Sequence, residues 1–268
     1  MSEDEFTKKL EEEYRRKEER WRHRIKRSED LTTVDGAMDL ATANTLFNML
    51  EREILIEVTG VLSTGKESTI YLGLAKGRRK VAIKTYRTKT LDFKKVQQYL
   101  DARFTRLPKK SHKFMEIWAE KEFKNLKRNF NAGVRIPEPL AVKRNVLVME
   151  FIGTGKLAAP QIRQIELENY QEICEDIVHQ IRLMYQKANL VHADLSEYNI
   201  LYLEQPWIID CSQSVLKSHP MANQLLYRDL ENILSFFEVK GVDIPDISQL
   251  YEELTGEKLD PLTKQYFD

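Results

Sequence analysis

Between residues 53 and 86, apolar and polar positions alternate in three short runs. Glu53–Thr59, Thr69–Leu74 and Lys80–Tyr86 each read as a strand, because a period of two puts one apolar set on one face of a pleated sheet. A small polar turn, Ser63-Thr64-Gly65-Lys66-Glu67-Ser68, separates the first two runs, and Lys76-Gly77-Arg78 separates the second from the third. The pattern then changes. Trp118–Arg128 has a helical composition, with Phe123 and Leu126 marking an inward face. Ile136-Pro137-Glu138-Pro139 closes that helix and opens a strand region that includes the apolar run Val146–Ile152. Ile173, Ile177, Ile181 and Met184 recur at helical spacing and predict a long buried helix. Another helical run covers Ala222 to Phe237, and Ile247 to Asp268 reads as a small helix and tail. Strands first and helices after fit an α+β architecture.

The first residues differ in character. Phe6, Leu10, Tyr14, Trp21 and Ile25 fall near one helical face within a stretch of 30 residues holding 10 Lys+Arg and 10 Asp+Glu. This predicts a charged helical extension over residues 1–35 that docks on its own domain. After a break at Ser28-Glu29-Asp30, Thr32, Thr33 and Asp35 serve as candidate caps for a second helix, Ala37 to Leu50. The expected division is an extension at 1–35, a small lobe at 36–152 and a large lobe at 153–268.

Composition narrows the class. With 42% hydrophobic residues, the chain of 268 residues can bury a core despite 31% charged residues. No apolar run is long enough to span a membrane, and the charged N-terminal stretch does not read as a secretory signal, so a cytoplasmic location without membrane partners is expected. Two cysteines are too few for a disulfide framework. Cys174 reads as core, and Cys211 as a buried small hydrophobe in preference to a reactive thiol. Net charge is zero, yet residues 76–128 hold 18 Lys+Arg against 5 Asp+Glu. Lys94, Lys95, Arg103, Arg106, Lys109, Lys110 and Lys113 lie in a long polar loop of about residues 88–113, in which Leu91 to Phe104 could form a short helix. A flexible basic loop suits RNA phosphates, and its Thr105 and Ser111 are candidate autophosphorylation sites.

The candidate chemistry sits in Val191–Leu201, where Asp194 is followed five residues later by Asn199, and in Ile208-Ile209-Asp210, where a second carboxylate closes an apolar strand. This is the acidic half of a kinase-type phosphoryl-transfer site. One carboxylate orients or deprotonates a nucleophile, and Asn and the second Asp can hold Mg²⁺ on ATP phosphates. The basic half lies upstream in Val81-Ala82-Ile83-Lys84, whose lysine can reach those phosphates. Glu122 is the favoured carboxylate to hold Lys84, with Glu120 in reserve. Gly60 to Lys66 nearly spells a Walker loop, but Glu67 stands where that motif needs Ser or Thr, and a strand follows where a helix should.

Together these motifs resemble the RIO family of atypical serine/threonine protein kinases. The carriers are STGKE at Ser63 to Glu67, VAIK at Val81 to Lys84, MEFIG at Met149 to Gly153, HADLSEYNIL at His192 to Leu201 and IIDCSQ at Ile208 to Gln213. STGKE and HADLSEYN point to the first RIO subgroup, and the resemblance covers about residues 36–240. It implies a two-lobed protein-kinase-like fold, the small lobe an antiparallel sheet plus helix and the larger lobe mainly helical, with ATP and Mg²⁺ (or Mn²⁺) as cofactors. In that reading Ser63, Thr64, Gly65, Lys66, Glu67 and Ser68 cover the phosphates, and Lys84 held by Glu122 positions them. Asn199 and Asp210 hold metal, and Asp194 orients the acceptor hydroxyl. Met149 is the gatekeeper, and the backbone at Glu150 and Ile152 meets adenine. His192 reads as a structural prop.

Ala193 replaces the Arg that commonly precedes the catalytic Asp, and no Ala-Pro-Glu follows Asp210, so the usual peptide-docking segment is short or missing. The resemblance implies phosphorylation of a protein or of the chain itself, in the setting of small ribosomal subunit maturation. Two enzymatic alternatives stay open. One is an ATPase-driven conformational switch with an aspartyl-phosphate on Asp210. The other is a small-molecule phosphotransferase of the aminoglycoside or choline kinase type, disfavoured by STGKE. A non-catalytic RNA-binding assembly factor rests on the basic loop alone.

Overall fold

Five strands form an antiparallel sheet in the order β1-β2-β3-β5-β4. They are β1 (Leu55–Thr64), β2 (Ser68–Ala75), β3 (Lys80–Tyr86), β4 (Pro139–Lys143) and β5 (Val146–Glu150). The computed structural model describes residues 39–87, 97–104 and 111–260. The expected extension over 1–35 with its caps, Lys94, Lys95, Thr105, Arg106, Lys109, Lys110 and the tail 261–268 lie outside the described residues.

The period-two pattern sorts β3 and β5 between two cores. Val81, Ile83, Val146 and Val148 pack against Leu46, Met49 and Leu50 of helix α1 (Leu40–Glu51). Ala82, Leu147 and Met149 join the other core with Leu126 of helix α2 (Ser111–Asn131). With cover on both faces, β3 is buried along all but its first residue, Lys84 and Thr85 included, so its alternation divides residues between two cores. Asp39 caps α1 by accepting from the Thr42 N–H at 2.8 Å. Asn145 then fastens α1 to the sheet, donating to Thr42 Oγ1 (2.7 Å) and to the Tyr86 carbonyl (2.9 Å).

The large lobe is built on α3 (Tyr170–Gln186), α4 (Ala222–Val239) and α5 (Ile247–Thr255). Ile177, Ile181 and Met184 of α3 share one core with Leu226, Leu230 and Ile233 of α4 and Leu250 and Leu254 of α5. Short strands suspend the functional loops above this core. The hairpin β6 (Gly153–Thr154) and β7 (Leu157–Ala158) follows β5. Strand β8 (Leu190–Val191) pairs with β11 (Val215–Leu216), and β9 (Ile200–Leu203) pairs with β10 (Gln205–Ile208). Residues 192–199 therefore leave one ladder and enter the next, and Asp210 lies between β10 and β11.

Three expected boundaries shift. Glu53 adopts a left-handed conformation (φ 56°), so β1 starts at Leu55. Ser63 and Thr64 belong to β1 and Ser68 to β2, which shortens the expected polar turn to Gly65, Lys66 and Glu67. The long basic loop ends where α2 begins, at Ser111, so Ser111 and Lys113 are helical. Within the expected Leu91–Phe104 helix, residues 91–96 lie outside the described residues, Gln97 is α-helical, and a turn and a single 3₁₀ turn at Ala102–Phe104 follow it. Asp101 takes the Arg103 N–H (3.0 Å) and both guanidinium edges (2.8 and 2.6 Å), a local alternative to helical bonding.

Gly153 marks the tightest backbone approach after β5. A Cβ there would lie 2.7 Å from Phe151 Cζ and 2.9 Å from Ala158 Cα, besides striking the Leu157 carbonyl. Gly153→Ala is expected to destabilise the fold by about 1–3 kcal/mol. Thermal unfolding checks this, and an unchanged Tm would show that the hairpin yields freely.

Candidate active site

Lys84 extends from β3 toward the lobe boundary and is fully enclosed. Its Nζ lies 3.0 Å from Glu122 Oε1 on α2 and 2.8 Å from Asp210 Oδ1. Burial alone would lower its pKa, but the Asp210 and Glu122 carboxylates outweigh burial and raise it above the ordinary lysine value. Asp210 shows the reciprocal effect. Burial opposes its ionisation, yet Lys84 and the Ser212 hydroxyl, which donates to Oδ1 at 2.8 Å, hold it at about 2. Glu122 is pushed up to about 7 by burial, with Lys84 opposing and Asp210 adding to the rise. Glu120 faces elsewhere and pairs with Lys124 at 2.7 Å. Of the two glutamates named from sequence, the structure brings Glu122 to Lys84.

The loop from His192 to Asn199 is fixed from three sides. His192 is buried, and burial pushes its imidazole down to about 4, so it is neutral and donates Nε2–H to the Ile209 carbonyl at 3.0 Å. Asp229 on α4 accepts from the Ala193 N–H (2.7 Å) and the Leu195 N–H (2.8 Å), and Arg228 donates to the Ala193 carbonyl. These bonds hold Ala193 at φ 69°, a conformation that non-glycine residues seldom adopt. Asp210 is likewise left-handed, at φ 60°. Strained backbone in both of these adjoining segments needs surrounding contacts to persist. Asp229 was not legible as a site residue, because its partners lie 34 and 36 residues away and its sequence context is an ordinary amphipathic helix.

Asp194 and Asn199 face each other across this loop. The Asn199 Nδ2 group donates to the Asp194 carbonyl at 2.8 Å, which leaves Oδ1 as the outward donor atom of that amide. Its backbone N–H binds the Ser196 carbonyl, and its carbonyl receives the Ile209 N–H, both at 2.9 Å, tying the loop to the Asp210 segment. Gln213, quoted in the sequence only within a motif, donates to Asp194 Oδ2 at 3.2 Å. Burial and Asp210 push the Asp194 carboxyl up to about 6. Glu67, on the turn between β1 and β2, is also raised, by the protein packed around its carboxylate and then by Asp210.

The remaining expected residues lie around this centre. The Gly65 N–H binds the Ser68 carbonyl, and the Arg87 N–H binds the Glu67 carbonyl, both at 2.9 Å, so the turn is closed by its own backbone. Ser63, Thr64 and Lys66 are exposed beside it. Met149 stands opposite Ala82 in the sheet. The Glu150 N–H binds the Glu138 carbonyl (2.9 Å), and the Ile152 carbonyl accepts from the Ala159 N–H (3.0 Å). Ile152 therefore has its N–H to offer an adenine ring. Cys211 is enclosed, and burial pushes its thiol up to about 12, which makes it inert. Cys174 is likewise a buried core thiol.

The donor set fits Mg²⁺. Asn199 Oδ1 and the ionised Asp210 are hard oxygen ligands, and such a site leaves its other positions to phosphates and water. Among the described residues no cluster of three or more His, Cys, Asp or Glu could cage a metal without such help. Lysine, two carboxylates and an amide in this arrangement can neutralise and align a polyphosphate for in-line transfer.

The RIO domain model matches residues 69–250, which leaves Ser63 to Ser68 just outside the matched span. The chain is 37% identical over 237 residues to the RIO-type serine/threonine-protein kinase Rio1 of Methanocaldococcus jannaschii, covering 87% of this chain and 81% of that protein. It is 38% identical over 266 residues to the probable serine/threonine-protein kinase RIO1 homolog of Encephalitozoon cuniculi, covering 90% and 69%. The human serine/threonine-protein kinase RIO1 is 38% identical over 240 residues, but this chain spans only 42% of its length. The fold is similar to that of the Rio2 kinase–ADP/Mg²⁺–phosphoaspartate complex from Chaetomium thermophilum, with a TM-score of 0.63 and 23% identity over 82% of this chain and 68% of that one.

The raised Asp194 carboxyl has a kinetic consequence. A base with a pKa of about 6 is ionised at neutral pH and lost as pH falls through that value. kcat/KM for phosphoryl transfer is therefore expected to fall on the acid side with a midpoint near 6. A profile flat down to about pH 4.5 would remove Asp194 from proton transfer.

Proposed function

The chain belongs to the RIO family of atypical protein kinases, in its first subgroup, and from that premise we propose that it transfers the γ-phosphoryl group of ATP to a Ser or Thr hydroxyl of a protein, its own chain included. The observation that carries this reading is the joint placement of Lys84 on Glu122 and Asp210 with Asp194 and Asn199 across the cleft. Lys84 binds phosphate oxygens of ATP while Glu122 keeps its ammonium from swinging away. The backbone at Gly65 and the hydroxyls of Ser63 and Ser68 line the phosphates from above. Asn199 and Asp210 hold Mg²⁺, which neutralises phosphate charge when bound; Mn²⁺ accepts the same oxygen donors. Asp194, oriented by Asn199 and Gln213, receives the hydrogen bond of the acceptor hydroxyl and then its proton. Most of the acceleration comes from positioning and charge neutralisation.

One observation favours a second reading. Only residues 217–221 separate β11 from α4, too short a span to build a platform for an extended peptide. An ATPase switch needs no such platform. In that case the Asp210 carboxylate attacks the γ-phosphorus, ADP leaves, and water hydrolyses the acyl phosphate. The Rio2 complex of similar fold contains a phosphoaspartate together with ADP and Mg²⁺.

We also propose a cytoplasmic setting in maturation of the small ribosomal subunit. The family resemblance and the basic 76–128 stretch support it, with Lys76, Arg78, Lys80 and Lys113 exposed among the described residues. Binding to small-subunit RNA should then weaken steeply as salt rises, because released counterions drive it. Salt-independent or undetectable binding in a filter assay counts against an RNA partner.

The fate of the γ-phosphate tests the main reading. With Mg²⁺ and γ-labelled ATP, acid-stable label on Ser or Thr is expected, and Asp194→Ala is expected to reduce it about 100- to 10,000-fold while ATP affinity changes little. Free phosphate with transient, base-labile label on Asp210 selects the ATPase switch. Full turnover by Asp194→Ala overturns the catalytic assignment.

A further inference from the structure

Lys121 stands one residue before Glu122 on α2, and it is completely buried. Its Nζ donates to the carbonyls of Ser212 (2.7 Å) and Ser214 (2.6 Å) and lies 4.9 Å from the centre of the Trp118 ring. Both acceptors belong to the turn that follows Asp210. The same face of α2 sends Asn125 Nδ2 to the carbonyls of Cys211 and Ser214, each at 2.9 Å, and Asn129 Nδ2 to Cys211 Sγ at 3.6 Å. Residues 121, 125 and 129 repeat at the spacing of four that keeps side chains on one face of a helix.

A buried amino group is costly, and burial pushes that of Lys121 down to about 7. Methionine would fill nearly the same volume at no desolvation penalty. What the amino group adds, charged or neutral, is the pair of carbonyl bonds that methionine cannot make. Those bonds fix the Ser212 backbone, and the Ser212 hydroxyl in turn donates to Asp210 Oδ1 at 2.8 Å. Lys121 is thus linked to the carboxylate that holds metal through the Ser212 backbone and its hydroxyl.

We propose that Lys121 is a positioning residue for phosphoryl transfer. Its amino group locks the 211–214 turn onto α2 and so fixes, through Ser212, the orientation in which Asp210 holds its metal. The clamp keeps α2 and the Asp210 segment in one frame without any contact from a phosphorylated loop. It works alongside the Glu122–Lys84–Asp210 chain, which ties the same two segments from the cleft side. The inference rests on the assignment of Asp210 as a metal ligand made above.

The test compares the wild-type chain with Lys121→Met and Lys121→Gln. In Lys121→Met, kcat is expected to fall about 10- to 100-fold and the Mg²⁺ concentration for half-maximal activity to rise by a similar factor, as for other residues that orient a metal ligand. Nucleotide affinity without metal should change by less than about twofold, which separates lost orientation from general loss of structure. Lys121→Gln keeps a donor for one carbonyl and should recover part of the loss. A folded Lys121→Met chain with wild-type kcat and Mg²⁺ dependence overturns the proposal. Hydrogen exchange on the nucleotide-free wild-type chain supplies a readout independent of activity and of whether the variants fold. Amides of 211–216 should be protected to the same degree as those of 117–126. Rapid exchange in 211–216 beside a protected α2 shows that no clamp exists. A wild-type chain that transfers no phosphate refutes the functional reading, and the exchange comparison still decides the clamp.

Discussion

The ammonium of Lys84 joins three segments that are far apart in sequence, and the site depends on that junction. It reaches Glu122 across 38 residues and Asp210 across 126. Lys84 and Glu122 are almost wholly removed from water, so each would be expensive to bury alone, and only their mutual pairing makes the arrangement stable. The pairing does not balance the charges. Two carboxylates share one lysine, and Asp194 and Glu67 add further negative charge nearby. Burial raises the carboxyl groups of Glu67, Glu122 and Asp194, and the negative charge of Asp210 adds to each rise, while Lys84 and the Ser212 hydroxyl hold Asp210 itself down. A site with surplus oxygen donors and a deficit of positive charge is one that a divalent cation completes.

Rigid support under the loops explains how this surplus is tolerated. Ala193 and Asp210 both hold left-handed backbone, a strain on the order of 1–3 kcal/mol each. Asp229, Arg228 and His192 bind backbone groups around those positions, so the strain is opposed by hydrogen bonds within a dry core. Asp229 keeps this role although burial pushes its carboxyl up to about 7, because the two N–H groups it accepts act against that shift. Dipoles fixed in this way need not reorganise as charge moves in the transition state.

Much of this was legible in the sequence, for identifiable reasons. Lys84, Asp194, Asn199 and Asp210 stand in short motifs whose spacing is itself the chemistry. Alternation in β3 and helical spacing in α3 reflect burial on a regular period. Glu122 could be chosen over Glu120 because Phe123 and Leu126 mark the inward face of α2. Asp229 and Lys121 were not legible. Each is a charged residue on a helix, where the usual expectation is solvent, and each finds its partners only through the tertiary fold, Lys121 at separations of 91 and 93 residues. The expected helix over Leu91–Phe104 ends early for a local reason: Gln97 is still helical, but Asp101 binds the backbone that a continuing helix would use.

The two sides of the cleft are built unequally. On the donor side every functional group is held by the chain's own contacts: Lys84 by two carboxylates, Asp210 by Lys84 and Ser212, Asn199 by the Asp194 carbonyl. On the acceptor side, only residues 217–221 separate β11 from α4, and they hold no strand for a peptide to pair with. Binding energy that positions an acceptor must then come from surfaces beyond the cleft, or from the acceptor's being part of the same molecule. Selectivity in such an enzyme follows from what can bring a hydroxyl, or a water, within reach of Asp194. It follows much less from the residues that flank that hydroxyl in sequence, because so short a segment has few atoms with which to read them.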